Sequence, residues 1–266
     1  MAAKKPQSNR KTETSVPAPW PNGSRLLGKV AVVTGGSRGI GYAIAHTLAA
    51  EGCSVLITGR NQSTLAKSAA RIRKSVGPQS KSVRILPIVC DVRDPDSVAS
   101  LFGVVKKDFG KIDVLVNNAG ITQPTVTVEE TTLELWRDVI DTNLTGIFLC
   151  TRAALPMMRA GATVVNNLSA AAKQVFPNYA TYSAAKRGAL GFTLSLREEL
   201  IPRGIRVMAL MPGATATNMW DQIMPDAPRD RMIDVESVAQ AVLYAALLPP
   251  NANLSELVLT PAGGAL

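Results

Sequence analysis

Short apolar runs alternate along the chain with longer stretches that carry one polar face. Lys29-Val-Ala-Val-Val-Thr34 is apolar and rich in β-branched residues, which predicts a strand. A glycine-rich turn from Gly35 to Gly41 follows, and the spacing predicts a helix over Ile40 to Ala50. The rhythm then repeats. Val55 to Thr58 predicts a second strand and Gln62 to Ser75 a helix; Val83 to Val89 predicts a third strand and Asp96 to Phe109 a helix. Ile112 to Val116 predicts a fourth strand, and one long helix is expected over Thr132 to Met158. A fifth strand over Thr163 to Asn166, a helix over Tyr179 to Ile201 and a sixth strand over Ile205 to Leu210 come next. A helix over Val235 to Leu247 and a seventh strand over Leu254 to Leu259 complete the pattern.

Strands that are apolar almost throughout are buried on both faces, and their alternation with helices predicts a parallel sheet. Right-handed crossovers make such a sheet doubly wound. The expected class is α/β: a single doubly wound Rossmann-type domain with a seven-stranded parallel sheet. It is expected to span residues 26–266 without an internal linker, behind a flexible basic tail over residues 1–25. Ligands of such sheets bind beyond the carboxyl ends of the strands, where the strand order reverses.

Composition narrows the partners. The 266 residues are 46% hydrophobic and 18% charged, too apolar for a disordered chain. Apolar runs such as Ile205 to Pro212 are strand-sized, well short of the roughly 20 residues of a membrane span. Met1 to Trp20 is polar and has no apolar core of a signal peptide. Cys53, Cys90 and Cys150 are too few and scattered for a disulfide framework or a zinc site, so a reducing cytoplasm is expected and no metal. Lys4, Lys5, Arg10, Lys11 and Arg25 face only Glu13 in the tail, within a net charge of +9. A basic tail can meet nucleic acid or an anionic membrane. Four prolines and the lack of interleaved aromatic residues favour a solvated extension, with neither nucleic acid nor membrane as partner.

Gly35, Gly39 and Gly41 lie between a strand and a helix. Glycine lets the backbone turn tightly and approach a pyrophosphate, and the helix N-terminus offers free N–H groups and a positive dipole end. Gly35, Ser37, Arg38, Gly39, Ile40 and Gly41 are therefore candidate phosphate-binding residues. NAD-binding folds carry an acid about 20 residues on, at the ribose 2′-hydroxyl. Here the second strand runs into Gly59-Arg60-Asn61 with no acid. Arg38 and Arg60 can bracket a 2′-phosphate instead, which favours NADP(H) as cofactor.

Tyr182 and Lys186 stand one turn apart on one helix face. Ser169 follows the fifth strand, and Asn143 lies in the expected long helix. With Thr34-Gly-Gly-Ser-Arg-Gly-Ile-Gly41, Asn117-Asn-Ala-Gly120 and Pro212-Gly213, these residues resemble the short-chain dehydrogenase/reductase family from about Leu27 to Thr260. The resemblance implies an oxidoreductase that moves a hydride between NADP(H) and a carbonyl or alcohol substrate. It makes Tyr182 the general acid/base, its pKa lowered by Lys186 and the positive oxidised nicotinamide; Lys186 would also hold the nicotinamide ribose. Ser169 would hold the substrate oxygen, and Asn143 would anchor a water in a proton relay.

The same resemblance sets Asp91 and Val92 at the adenine, Asn117, Ala119 and Gly120 along the adenine ribose, and Pro212, Gly213 and Thr217 at the nicotinamide amide. Asp91 can also be read as a helix cap before Asp94-Pro95. His46 is read as structural. Val175, Phe176, Met219, Trp220, Ile223 and Met224 suggest a partly apolar substrate, such as a 3-oxoacyl or hydroxy-acid compound. Members commonly pair through the two long helices, so a homodimer or homotetramer is expected. The competing reading is a non-catalytic NADP(H) sensor or scaffold, which has no need of Ser169, Tyr182 and Lys186 together.

Overall fold

The computed structural model describes residues 25–77 and 83–264. The tail expected over residues 1–25 lies, apart from Arg25, outside the described residues. Arg25 pairs with Glu51 at 2.5 Å.

The strands are β1 (Val30–Val33), β2 (Ser54–Gly59), β3 (Ile85–Val89), β4 (Ile112–Asn117), β5 (Met158–Asn167), β6 (Arg206–Pro212) and β7 (Glu256–Leu259). The helices are α1 (Gly39–Ala50), α2 (Gln62–Ser75), α3 (Pro95–Asp108), α4 (Leu133–Ile140), α5 (Gly146–Ala154), α6 (Ala180–Leu200), α7 (Trp220–Ile223) and α8 (Val235–Leu247). All strands are parallel, in the order β3-β2-β1-β4-β5-β6-β7. Each strand presents alternate side chains to opposite faces. Ala31 and Val33 join a core with Ile44 and Leu48 of α1, Leu65 and Ile72 of α2 and Val242 of α8. Val30 and Val32 join a second core with Leu101 of α3, Cys150 of α5 and Leu200 of α6. Two helical layers thus sandwich the sheet, and the order reverses between β1 and β4.

The long helix expected over Thr132 to Met158 is broken. After α4 the chain widens into a π turn, Asp141–Thr145, before α5 resumes. Gly146, the first residue of α5, packs against Val92, where a Cβ would stand 2.8 Å from Cγ2. Pro156 has no N–H and its ring clashes with the preceding turn. The helix accordingly tightens into a 3₁₀ turn, Leu155–Met157, and β5 begins at Met158, ahead of the expected Thr163. β3 and β7 start later than expected, at Ile85 and Glu256, and α7 has no counterpart in the sequence pattern.

Candidate active site

A cavity of about 930 Å³ opens at the carboxyl ends of the strands, on the β1/β4 reversal. The glycine turn forms its floor. Gly35 (φ +64°) and Gly39 (φ +54°) occupy the left-handed region, where a Cβ is strained. At Gly41 a Cβ would sit 2.3 Å from the Gly35 carbonyl oxygen. Asn118 braces the turn: its Nδ2 donates to the carbonyls of Thr34 (2.9 Å) and Gly35 (3.2 Å). The Thr34 hydroxyl accepts the N–H groups of Asn118 and Ala119.

The N-terminus of α1 is left without a side-chain cap, unlike those of four other helices. Asn61, Asp94, Thr132 and Asp234 cap α2, α3, α4 and α8 with side-chain oxygens. α1 receives no side-chain cap from Arg38 and holds no acid in its first turn. Its first N–H groups and positive dipole end therefore face the cavity, an arrangement that fits the pyrophosphate of a dinucleotide.

Ser37, Arg38, Gly39, Ile40, Arg60, Asp91, Val92, Ala119, Gly120, Pro212, Gly213 and Thr217 all line the cavity. Arg38 and Arg60 are exposed there and form no ion pair among the described residues. Asp91 is not the cap of α3; that is Asp94, which accepts the Asp96 N–H at 3.0 Å. Arg93 grips the Asp91 carboxylate instead, through Nε (3.0 Å) and Nη2 (2.7 Å), and reaches Asp138 at 2.9 Å. Hydrogen bonding from Arg93 holds the Asp91 carboxyl below the usual carboxylate range, and the charge of Arg60 adds to this.

Asn117 departs from expectation: it does not reach the cavity. It ends β4 with its side chain turned into the core, donating to Thr151 Oγ1 (2.9 Å) and Asn166 Oδ1 (2.8 Å). The pleat of β4 turns Asn117 inward, and of the stretch Asn117 to Gly120 expected along the adenine ribose, Asn118, Ala119 and Gly120 line the cavity.

Ser169, Tyr182, Lys186 and Asn143 come together on the other side. Ser169 leaves β5 and caps a 3₁₀ turn, its Oγ accepting the Ala171 N–H at 3.1 Å. Tyr182 and Lys186 share the inward face of α6. Burial raises the Tyr182 phenol to about 12; hydrogen bonding to Ser169 pulls the other way, and Tyr179 adds to the rise. Burial lowers the Lys186 ammonium to about 8. The lowering expected of the tyrosine combines Lys186 with the oxidised nicotinamide; in the protein alone desolvation is the larger influence. Lys186 Nζ stands 5.5 Å from the Tyr182 ring centroid and donates to the Asn167 carbonyl at 3.3 Å, and desolvation outweighs its charge.

Asn143 lies on the π turn and is fully buried. Its Nδ2 donates to the carbonyls of Ile121 and Val139, each at 2.9 Å. Its Oδ1 finds no partner among the described residues. That oxygen crowds Gly120, where a Cβ would lie 2.7 Å from it, and Lys186 Nζ borders the same position at 3.7 Å. His46 is half-buried on α1 and stacks with Tyr42. Among the described residues no three His, Cys, Asp or Glu side chains gather as a metal site.

The sequence reading counts Gln123, in the loop after β4, only within a substrate wall over Thr122 to Thr127, and the structure keeps it off the cavity. Its side chain binds the backbone of Asn178 and Tyr182. No local pattern marks it, because both partners are far along the chain.

Residues 29–228 match the short chain dehydrogenase family. A 3-oxoacyl-(acyl-carrier-protein) reductase of Synechocystis sp. is 37% identical over 246 residues, covering 90% of this chain and 97% of that protein. A farnesol dehydrogenase of Aedes aegypti is 33% identical over 246 residues, covering 90% and 98%. The crystal structure of a short chain dehydrogenase from Burkholderia cenocepacia in complex with NADP superposes with a TM-score of 0.79 at 31% identity, covering 89% of this chain and 98% of that one. The chain belongs to the short-chain dehydrogenase family.

Proposed function

We propose that the protein is an NADP(H)-dependent oxidoreductase that interconverts a small or medium carbonyl compound and its alcohol. The observation that carries this is the meeting of Ser169, Tyr182 and Lys186 in one cavity with the open N-terminus of α1. A purely binding protein has use for the second feature and none for the first. When bound, the nicotinamide supplies or accepts the hydride. The α1 N-terminus and glycine turn would hold the pyrophosphate, and Arg38 and Arg60 the 2′-phosphate. Asp91 and Val92 would border the adenine, and Thr217 the amide.

The protein's own chemistry is proton delivery. With its pKa held up at about 12, Tyr182 keeps its proton at neutral pH and can donate Oη–H to a substrate carbonyl oxygen. The Ser169 hydroxyl donates to the same oxygen and stabilises the charge that develops on it. Lys186 stands behind the phenol, and its ammonium would stabilise the phenolate left after transfer. The unpartnered Oδ1 of Asn143 offers an acceptor for a water that returns the proton.

The relatives named 3-oxoacyl reductase and farnesol dehydrogenase support a substrate with an apolar arm. So do Phe176, Met219, Trp220, Ile223 and Met224 on the cavity wall. Screening 3-oxoacyl esters, hydroxy acids and aliphatic ketones against NADPH and NADP+ tests the reading. Turnover that survives Tyr182→Phe unchanged would contradict it.

Leu133 and Trp136 of α4 and Phe148 of α5 are exposed, and Phe148 meets Phe192 of α6 edge-on. This apolar face supports a homodimer or homotetramer built across the helices, checked by light scattering. Three free, buried cysteines suit a cytoplasmic setting, and no described helix is long and apolar enough to cross a membrane. Arg25, expected as the end of the tail, is tied to Glu51 of the domain; removing residues 1–22 should leave activity and assembly unchanged.

A further inference from the structure

Gln123 is 1% exposed. A primary amide so deeply buried is costly unless both of its ends find partners. Both do. Its Nε2 donates to the Asn178 carbonyl at 3.1 Å, and its Oε1 accepts the Tyr182 N–H at 2.8 Å.

The second bond closes a gap in α6. The helix starts at Ala180, so Tyr182 is its third residue and its N–H has no acceptor within the helix. The residue before a helix usually supplies one from its own side chain. Here that residue is Tyr179, and it makes no such bond. Gln123 does so from 59 positions away. The first bond secures the approach to the helix. Asn178 is the only non-glycine residue with positive φ among the described residues, at +62°. Its carbonyl also accepts the Val126 N–H at 3.3 Å. The loop after β4 thus grips the bend before α6 and the backbone of the reactive tyrosine, while Gln123 itself stays off the cavity wall.

We propose that Gln123 is a positioning residue, whose amide fixes the first turn of α6 and thereby sets where the Tyr182 hydroxyl stands relative to Ser169. The inference rests on the oxidoreductase reading above. Small errors in the placement of a reacting group cost rate rather than binding, which gives the test its form.

Gln123→Met keeps the volume and removes both bonds. Gln123→Asn keeps the amide on an arm too short to reach both partners. Gln123→Glu keeps the acceptor for the Tyr182 N–H and, held protonated by burial, can still donate its O–H to the Asn178 carbonyl. Turnover of the best carbonyl substrate from the screen is measured at saturating NADPH and expressed per NADPH-binding site, so that loss of folded protein does not count. The expected order is Glu within about threefold of wild type, Asn lower, and Met lower by about tenfold or more. NADPH affinity, by fluorescence titration, should stay within about twofold for all three, because the cofactor cradle does not touch Gln123. If Gln123→Met does not fold, the Asn and Glu variants decide. Variants that turn over like wild type, or that lose NADPH affinity in step with turnover, overturn the positioning role. A wild type that reduces nothing and is matched by Tyr182→Phe overturns the oxidoreductase reading itself, a separate outcome because the Gln123 variants then have no rate to lose.

Discussion

The N-termini of α1 and α6 flank one cavity and are finished in opposite ways. α1 has no side-chain cap and no acid in its first turn, so its backbone donors stay free behind a turn of glycines. α6 also lacks a cap of its own, yet the N–H of Tyr182 is taken by Gln123 from a distant loop. An open end with its positive dipole is a site for an anion. A closed end is a mount for side chains. One half of the cavity is therefore built from backbone and two guanidiniums, and the other from a half-buried tyrosine and a buried lysine on a pinned helix. This division implies that binding and turnover can be damaged separately.

The sharpest way to break the comparison is Tyr182→Phe. It removes the transferable proton and keeps the ring. Turnover should fall by at least ~10²-fold, while NADPH titrates as in wild type. Equal loss of cofactor affinity would mean that the two halves are one unit.

The reverse experiment attacks the α1 side. Arg38→Ala or Arg60→Ala removes a charge-assisted contact to the 2′-phosphate. Such a contact is worth about 1.5–3 kcal/mol, roughly ten- to a hundredfold in affinity. NADPH should weaken by that factor and NADH, which offers only a hydroxyl there, hardly at all. Gly59→Asp should push the preference further by repelling the phosphate. Equal affinity of the wild type for NADH and NADPH, measured by fluorescence, would remove the role given to both arginines.

The two halves were also unequally legible in the sequence. Glycine announces the α1 side itself, since a strand followed by closely spaced glycines and a helix has few other uses. The ends expected for α2 and α8 coincide with those in the structure, because polar caps at Asn61 and Asp234 sit where the apolar period begins. The α6 side was readable only as residue types. That Tyr182 and Lys186 share a face follows from the helical period. That desolvation pushes the Tyr182 phenol up depends on packing that no local spacing reports. Asn117 and Asn118 are adjacent and identical, so which of them faces the cavity was decided by the pleat of β4. The break between α4 and α5 turns on a π turn with no compositional mark.

Burial of Lys186 makes a prediction about stability. An unfolded lysine titrates near 10.5 and the folded one at about 8. Between those values the unfolded chain binds a proton that the folded protein does not, so stability rises with pH across that window. Below pH 8 the folded protein bears the full cost of a buried cation. Lys186→Met should therefore raise Tm at pH 7 by a few degrees even as it lowers turnover. The gap to wild type should close as pH climbs from 8 towards 10.5. A gap that does not change with pH would show that the ammonium is hydrated in the folded state. Tyr182 acts oppositely at higher pH: between about 10 and 12 the folded protein keeps a proton that the unfolded chain has lost, so stability falls with pH there.

The smallest expected effect tests whether an ordinary cap away from the cavity behaves as a cap alone. Thr132 begins α4, and its Oγ1 accepts the Leu135 N–H at 3.1 Å. It does not line the cavity. Thr132→Ala leaves one helix donor to water, because this end is exposed, and should cost about 1 kcal/mol. For a domain of this size that is roughly 2–4 °C in Tm, measured by thermal unfolding. Turnover per NADPH-binding site should not change. The same kind of loss at the start of α6 is expected to lower the rate, because there the capped N–H belongs to the tyrosine that moves the proton. If Thr132→Ala reduces turnover as much as Gln123→Met does, helix ends in this fold act through global stability, and the closed end of α6 has no special tie to catalysis.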